Sequence, residues 1–411
     1  MKALVTSTAQ DGGLVAARSL SRAGFTVIGA DLQRLPRGMS SRYLRAYHQL
    51  TGADERAVDD SLVRLVESER PDVFVPIGTQ GVRAAARRRE ELAAMTAVNV
   101  VDEAAFMAAY DKSACIAECQ RLNIGCVRVL GFEEALGVLE GAPGATTLVV
   151  KPRWDFGGAT GVCYVHNSAA LREAVERCSR MYGGSLIQDF IPGGAEAMRT
   201  VLLLFSPQSE VAAGFTMRKI RHWPQTGGPT AAGCSIDEPG LIEQVLPFFR
   251  AWRWRGPAEV ELKLDPRDGR YKVIEINPRF PGYLRFPWHC GLNLPLLAAR
   301  MALGDAVAGR GAPGYEIGQR YVAPTLFART VRDDIRMHGM RIALRRARAD
   351  LRGSARVILG MLADPLPLIA RVLMPSASRR RSGRPARTTG LKDPNMRRDL
   401  TGSVSDSDRR S

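Results

Sequence analysis

The sequence predicts an α/β protein of several domains, and three observations carry that expectation. The chain opens with a strand–helix–strand pattern, a glycine-rich loop separates two short strands near its middle, and a hairpin rich in carboxylates follows near residue 268. A length of 411 residues suggests roughly two to four domains. No apolar run reaches the ~18 residues of a membrane-spanning helix.

Met1-Lys-Ala-Leu-Val-Thr-Ser7 is an apolar strand and not a signal peptide. Gln10-Asp-Gly-Gly13 reads as a turn into a helix carrying Leu14, Val15 and Leu20, and Phe25–Asp31 as a second strand ending in an acid. Such an opening suits a dinucleotide, but the G-x-G-x-x-G fingerprint is absent, so NAD is not expected and Asp31 reads as a loop acid. Val58, Leu62, Leu65 and Val66 form a helical stripe before the strand Asp72–Ile77. Parallel strands with crossover helices give a small doubly wound layer. Gly78-Thr-Gln-Gly81 ends a strand, where open α/β sheets bind ligands, making Thr79 and Gln80 acceptor-site candidates.

Leu148-Val-Val-Lys-Pro-Arg153 is an apolar strand ending in Lys151. Trp154–Gly161 follows, with Gly157, Gly158 and Gly161, and then the strand Val162–Val165. A lysine beside glycines suits a triphosphate, because the backbone can approach it and N–H groups donate. The loop is not a Walker A motif, since no Gly-Lys-Ser/Thr follows, and a simple glycine-rich turn explains it equally well alone.

Ala258–Leu264 alternates apolar and polar residues, Asp265–Arg270 supplies turn residues, and Tyr271–Asn277 is the return strand. A tip at residue 268 sets Glu261 opposite Glu275, with Asn277 on the same face. Opposed like charges destabilise a sheet. Two carboxylates and an amide oxygen are better explained by a hard cation such as Mg²⁺. A solvated face with Lys263 offsetting the charge stays open on spacing alone. Arg279, just past the strand, could hold a phosphoryl oxygen or a carboxylate.

These stretches resemble the ATP-grasp superfamily, which includes biotin carboxylase, D-alanine–D-alanine ligase and the large subunit of carbamoyl phosphate synthetase. The resemblance runs in family order from Lys112, in Tyr110-Asp-Lys-Ser113, to about Leu294. It implies an ATP-grasp fold, α/β overall with α+β catalytic lobes, and the cofactors ATP and Mg²⁺ (or Mn²⁺). It implies that Lys112 and Lys151 serve the nucleotide, with Lys151 at the α/β-phosphates, and that Gly157, Gly158 and Gly161 form a lid over the β/γ-phosphates. Ser185–Gly194 resembles the hinge: Gln188 would take the adenine amino group, Asp189 to Ile191 would give backbone contacts, and Glu196 would accept from ribose. Glu261, Glu275 and Asn277 would hold the metal. Arg279, Lys219 and Arg221 would lie near the γ-phosphate and acceptor as catalytic residues. Strand alternation puts Lys219 and Arg221 on one face and Arg218 on the other, although a basic edge strand guarding against aggregation explains the run equally well.

The implied domains are a pre-ATP-grasp α/β domain over 1–100, an N-terminal lobe over 101–190, a C-terminal lobe with the metal site over 191–310, a helical appendage over 311–375 and a disordered basic tail over 376–411. The family's Gly-Ile-Pro-like stretch is here Asn123-Ile-Gly-Cys-Val-Arg128, without the proline, which bears on loop shape. The implied reaction joins a carboxylate to an amine or similar nucleophile through an acyl phosphate. The alternative is a non-catalytic ATP-binding sensor or assembly protein. A biotin-dependent carboxylase is disfavoured, since no carrier segment is evident. The reaction needs no Ser-His-Asp constellation, and His222 and His289 read as packing residues.

Seven scattered cysteines without a C-x-x-C suggest a reduced cytosol, and Cys115 and Cys119 read as core. Residues 331–411 hold 19 Lys+Arg against 8 Asp+Glu, much of the chain's net +16. Two readings of residues 331–375 stay open: a packed helical appendage, which is favoured, and a membrane-surface segment. Nucleic acid is not expected, because the basic tail lacks interleaved aromatics. The expected partners are small-molecule carboxylate and amine substrates, and a homodimer is compatible with the chain.

Overall fold

Five parallel strands build the first layer: β1 (Lys2–Thr6), β2 (Thr26–Asp31), β3 (Ala46–Gln49), β4 (Val73–Val75) and β5 (Ala97–Val98), in the order β3-β2-β1-β4-β5. The computed structural model describes residues 1–32, 40–305, 314–352, 354 and 364. Leu4 joins one core and Ala3 and Val5 another, so this sheet is covered on both faces, as its unbroken apolar runs require. The expected doubly wound layer is present. The turn expected at Gln10–Gly13 is instead the first turn of the helix Asp11–Arg22. A Cβ on Gly13 would lie 2.3 Å from the Ser7 carbonyl oxygen, so glycine lets this helix start directly against the end of β1. Asp31 is a buried strand end rather than a loop acid, and its carboxylate accepts from the Ala9 amide at 2.8 Å. Thr79 and Gln80 stand in the first turn of the helix Gly78–Arg87, Gln80 exposed.

A second sheet is smaller and antiparallel: β6 (Val129–Leu130), β7 (Leu148–Pro152), β8 (Cys163–Val165) and β9 (Ser185–Asp189), in the order β6-β9-β7-β8. Its core is its own. Leu148, Val150, Val165 and Ile187 point to one face, under the helices Phe132–Gly141 and Ser168–Tyr182. Period-two alternation therefore sends Val149, Lys151, Leu186 and Gln188 to the other face.

The third sheet holds β10 (Met198–Phe205), β11 (Val211–His222), β12 (Thr230–Ile236), β13 (Gly256–Asp265), β14 (Arg270–Asn277) and β15 (Arg320–Val322), in the order β14-β13-β10-β11-β12-β15. Val201, Leu203, Val260, Leu262, Val273 and Ile276 share one core with the first layer and with the helix Glu103–Tyr110. The helix Lys112–Arg121 packs on β14 as well. On the far edge, Phe327 of the helix Pro324–His338 and Ala347 of the helix Met340–Leu351 pack on Ala232 and Val322. The appendage is thus packed on the sheet as far as residue 352. The rest of the expected appendage and membrane-surface segment, residues 364 and 354 apart, and the whole expected tail over 376–411 lie outside the described residues. No helix among the described residues is long and apolar enough to cross a membrane. All seven cysteines are unpaired, and Cys115 and Cys119 are in the core as expected.

Candidate active site

The hairpin β13–β14 pairs Glu261 with Glu275 and Glu259 with Asn277, all on one face. The opposition of the two glutamates is as expected, but its route is not. Asp265 pairs with Arg270, so the tip lies half a residue before 268, and an extra residue, Ile274, shifts the register between Val273 and Glu275. That bulge lets Val273 and Ile276 both enter the core while Glu275 faces the cleft. It also frees the Ile274 carbonyl, which accepts from Lys151 Nζ at 3.4 Å across the cleft.

Four cations converge on these acids. Lys219 Nζ donates to Glu261 at 2.9 Å, Lys112 Nζ lies 3.6 Å from Glu275, Lys151 reaches the adjoining backbone, and Arg279 donates to Glu259 at 2.9 Å and to the Asn277 side-chain oxygen at 3.1 Å. Lys112 is buried, not a solvated helix lysine. Asp111 explains this: it caps Ser113 and clasps Arg153 at the end of β7, which brings Lys112 beside Lys151. Burial pushes the Lys151 ammonium down to about 8, against the opposing pull of Glu275. Burial raises Glu261 despite Lys219, whereas at Glu275 burial is outweighed by Lys112, Lys151, Lys219 and Arg279, which hold it low. Burial also works against the charge on Arg279, and Glu259, Asp155 and Glu275 overcome it.

The glycine-rich loop reaches into this cluster. Asp155 accepts from the Gly157 amide at 2.7 Å, and its other oxygen lies 3.8 Å from Arg279. Gly157 and Gly158 have φ of +76° and +64°; a Cβ on Gly157 would stand in open space and one on Gly158 would only touch Pro229 at 4.0 Å, whereas a Cβ on Gly161 would lie 2.6 Å from the Tyr182 ring. At the hinge, Gln188 is buried and its side-chain oxygen has no hydrogen-bond partner among the described residues. The Asp189 amide donates to the Arg128 carbonyl at 3.0 Å, and the Ile191 carbonyl accepts from Lys263 at 2.7 Å. Lys263 therefore does not simply offset the acidic face; it ties β13 to the hinge, with its ammonium 5.3 Å from the Phe190 ring centre. Glu196 is exposed and turns back to accept from the Gly194 amide at 2.8 Å.

Arg221 does not join Lys219 at the acids, contrary to the alternation expected along this strand. A bulge at Ile220 breaks the alternation, so Lys219 faces Glu261 while Ile220 and Arg221 face the C-terminal helices. There Arg221 pairs with Asp334 at 2.5 Å and with Asp350, away from the acids of the hairpin. His222 is half-buried against the Gln225 carbonyl, and desolvation lowers it to about 4, as packing predicts.

Glu259, Asp155 and Tyr283 join the site without having been expected. Glu259 was detectable, since it stands two residues before Glu261 and so shares its face. Asp155 and Tyr283 carry no sequence signal. The Tyr283 hydroxyl is buried beside Glu259 without hydrogen-bond geometry, and burial with that carboxylate pushes it well above the ordinary phenol.

The donor set of Glu261, Glu275 and Asn277 is made of hard oxygens, two of them carboxylates, which fits a divalent cation shared with phosphate. Among the described residues no group of three or more His, Cys, Asp or Glu side chains forms a metal shell. A site here would need ligand oxygens to complete it.

No family model matches the chain. Its backbone superposes on the biotin carboxylase domain of Hydrogenobacter thermophilus 2-oxoglutarate carboxylase, solved with MgADP and bicarbonate, with a TM-score of 0.59 and 14% identity, covering 78% of this chain and 73% of that one. An L-amino acid ligase from Bacillus licheniformis gives a TM-score of 0.59 with 16% identity over 78% of each chain. In sequence, D-aspartate ligase from Enterococcus faecium is 32% identical over 129 residues, and the carbamoyl phosphate synthase large chain of Gemmatimonas aurantiaca 28% over 216 residues. The chain has an ATP-grasp fold. Those stretches make up 30% and 47% of this chain, but the matches span only 28% of the D-aspartate ligase and 19% of the synthase. The ATP-grasp assignment accounts for the two antiparallel sheets facing each other across the lysine–glutamate cluster.

Proposed function

We propose that this protein is an ATP-dependent ligase that joins a carboxylate to an amine or similar nucleophile through an acyl phosphate. The observation that carries this reading is the opposed Glu261–Glu275 pair ringed by Lys112, Lys151, Lys219 and Arg279. Opposed carboxylates cost stability in a sheet, so their retention among four cations points to a metal–polyphosphate ligand. In this reading Lys112 and Lys151 bind the phosphates, and Gly157, Gly158 and Gly161 let the loop close over them. Gln188 reads the base beside the backbone of Asp189 to Ile191. The unpartnered Gln188 oxygen supports that role, since a buried acceptor left unpaired costs about 1–3 kcal/mol. Glu196 is near enough to the hinge to accept from ribose once released from Gly194.

Glu261, Glu275 and Asn277 would hold Mg²⁺, which supplies charge neutralisation at the transferred phosphoryl group. Lys219 and Arg279 add fixed positive charge on the acceptor side and orient the attacking carboxylate. Arg279 then moves from Asp155 to the substrate anion. The substrates are small molecules. Phosphate release from ATP across a panel of carboxylates and amines tests the reading: turnover should require one member of each class. Tight MgATP binding without phosphate release on any pair would favour a nucleotide sensor instead.

A further inference from the structure

The segment between β11 and β12, residues 223–229, touches both halves of the site and the C-terminal helices. On the cleft side, Tyr164 of β8 donates to the Thr226 carbonyl, and Lys219 Nζ donates to the Gly228 carbonyl at 3.4 Å. The Cβ position of Gly158, in the glycine-rich loop, lies 4.0 Å from the Pro229 ring. The segment is closed on itself, because the Trp223 amide donates to the Pro229 carbonyl at 3.2 Å. Its outer side is held by the helix Pro324–His338. The Trp223 indole N–H donates to Asp333 at 2.9 Å, the Arg329 guanidinium stacks 4.5 Å from the Trp223 ring centre, and the Gln225 amide donates to Asp334 at 3.3 Å. Asp334 is almost fully buried and also receives Arg221, which anchors that helix to β11. Direct contacts thus run from the C-terminal helix through residues 223–229 to Lys219 and to Tyr164 on the strand that follows the lid, and Pro229 lies beside Gly158 of the lid itself.

We propose that Trp223 is a positioning residue through which the helix Pro324–His338 holds residues 223–229 as the stop on which the glycine-rich lid closes. The inference rests on the nucleotide-binding reading above and gives the C-terminal helices a part in it. An unanchored segment would have to be ordered whenever nucleotide binds, and that ordering would weaken affinity.

The test uses the full chain and MgATP. Asp333→Ala and Trp223→Phe each remove the indole hydrogen bond, and Asp333→Asn keeps an acceptor oxygen. Calorimetry should show MgATP binding about fivefold weaker in the first two, the scale of one hydrogen bond, with the Asn variant like wild type and the double variant no worse than either single one. MgATP should also shield residues 154–161 from protease less well in those two. Melting temperatures should stay close to wild type, since Asp333 is 27% exposed. A lowered melting temperature with unchanged affinity and shielding would reduce the contact to structural packing and overturn the proposal. Wild type that fails to bind MgATP would overturn the ligase reading and this inference together, whereas wild type and all variants binding alike would overturn only the inference.

Discussion

Replacing Lys151 with methionine should weaken nucleotide binding and strengthen the nucleotide-free fold, two effects of opposite sign. Lys151 is 5% exposed, and burial lowers its ammonium from 10.5 to about 8. At ~1.4 kcal/mol per tenfold, holding that charge in the fold costs roughly 3 kcal/mol below pH 8. The sign follows from the direction of the shift. The folded value lies below the unfolded one, so the penalty is full below about pH 8 and fades as the pH rises toward 10.5. Methionine keeps the stem's volume and removes the penalty. Glu275 loses one of its four cations, which offsets part of the gain. A net stabilisation of roughly 1–2 kcal/mol remains, or a few degrees in melting temperature at neutral pH. The charge-assisted bond to phosphate, about 1.5–3 kcal/mol, is lost at the same time, so calorimetry should show MgATP binding some tenfold to a hundredfold weaker. Wild-type affinity should itself decline above about pH 8, as the free ammonium loses its proton, and the variant's profile should be flat there. Unchanged affinity in Lys151→Met, or a less stable apo variant, would refute the reasoning.

Glu275→Gln should abolish phosphate release while leaving the fold intact, because it removes charge and not volume; wild-type rates would remove Glu275 from the metal site. Protease nicking within residues 154–161 should fall when MgATP is added, and equal cleavage with and without nucleotide would count against a closing lid. Arg221→Met should lower the melting temperature by leaving Asp334 and Asp350 buried without their shared partner, a loss of roughly 3–5 kcal/mol for a buried pair; a variant as stable as wild type would show that the pair contributes little.

Local pattern was enough for the elements that carry the chemistry. Alternation in Ala258–Leu264 and Tyr271–Asn277 makes strands, the turn residues between them make a hairpin, and that pairing sets Glu261 against Glu275. The apolar run ending at Lys151 and the glycines after it mark a strand end and a turn, because both signals lie in neighbouring residues. What the sequence alone left undetermined depends on packing between distant segments. The bulges at Ile274 and Ile220 have no local signature. Each arises where a core takes one more apolar side chain than alternation supplies, Ile274 beside Ile116 and Ile191, and Ile220 beside the C-terminal helices. The first bulge preserved the expected glutamate pair, and the second carried Arg221 away from Lys219. Lys112 became a buried partner of Glu275 only because Asp111 and Arg153, far apart in sequence, close on each other, and Asp155 met Arg279 only because the loop folds across the cleft. Periodicity is set by the backbone and is legible residue by residue, whereas the partner of a buried charge is chosen by whichever opposite charge the tertiary fold brings within reach.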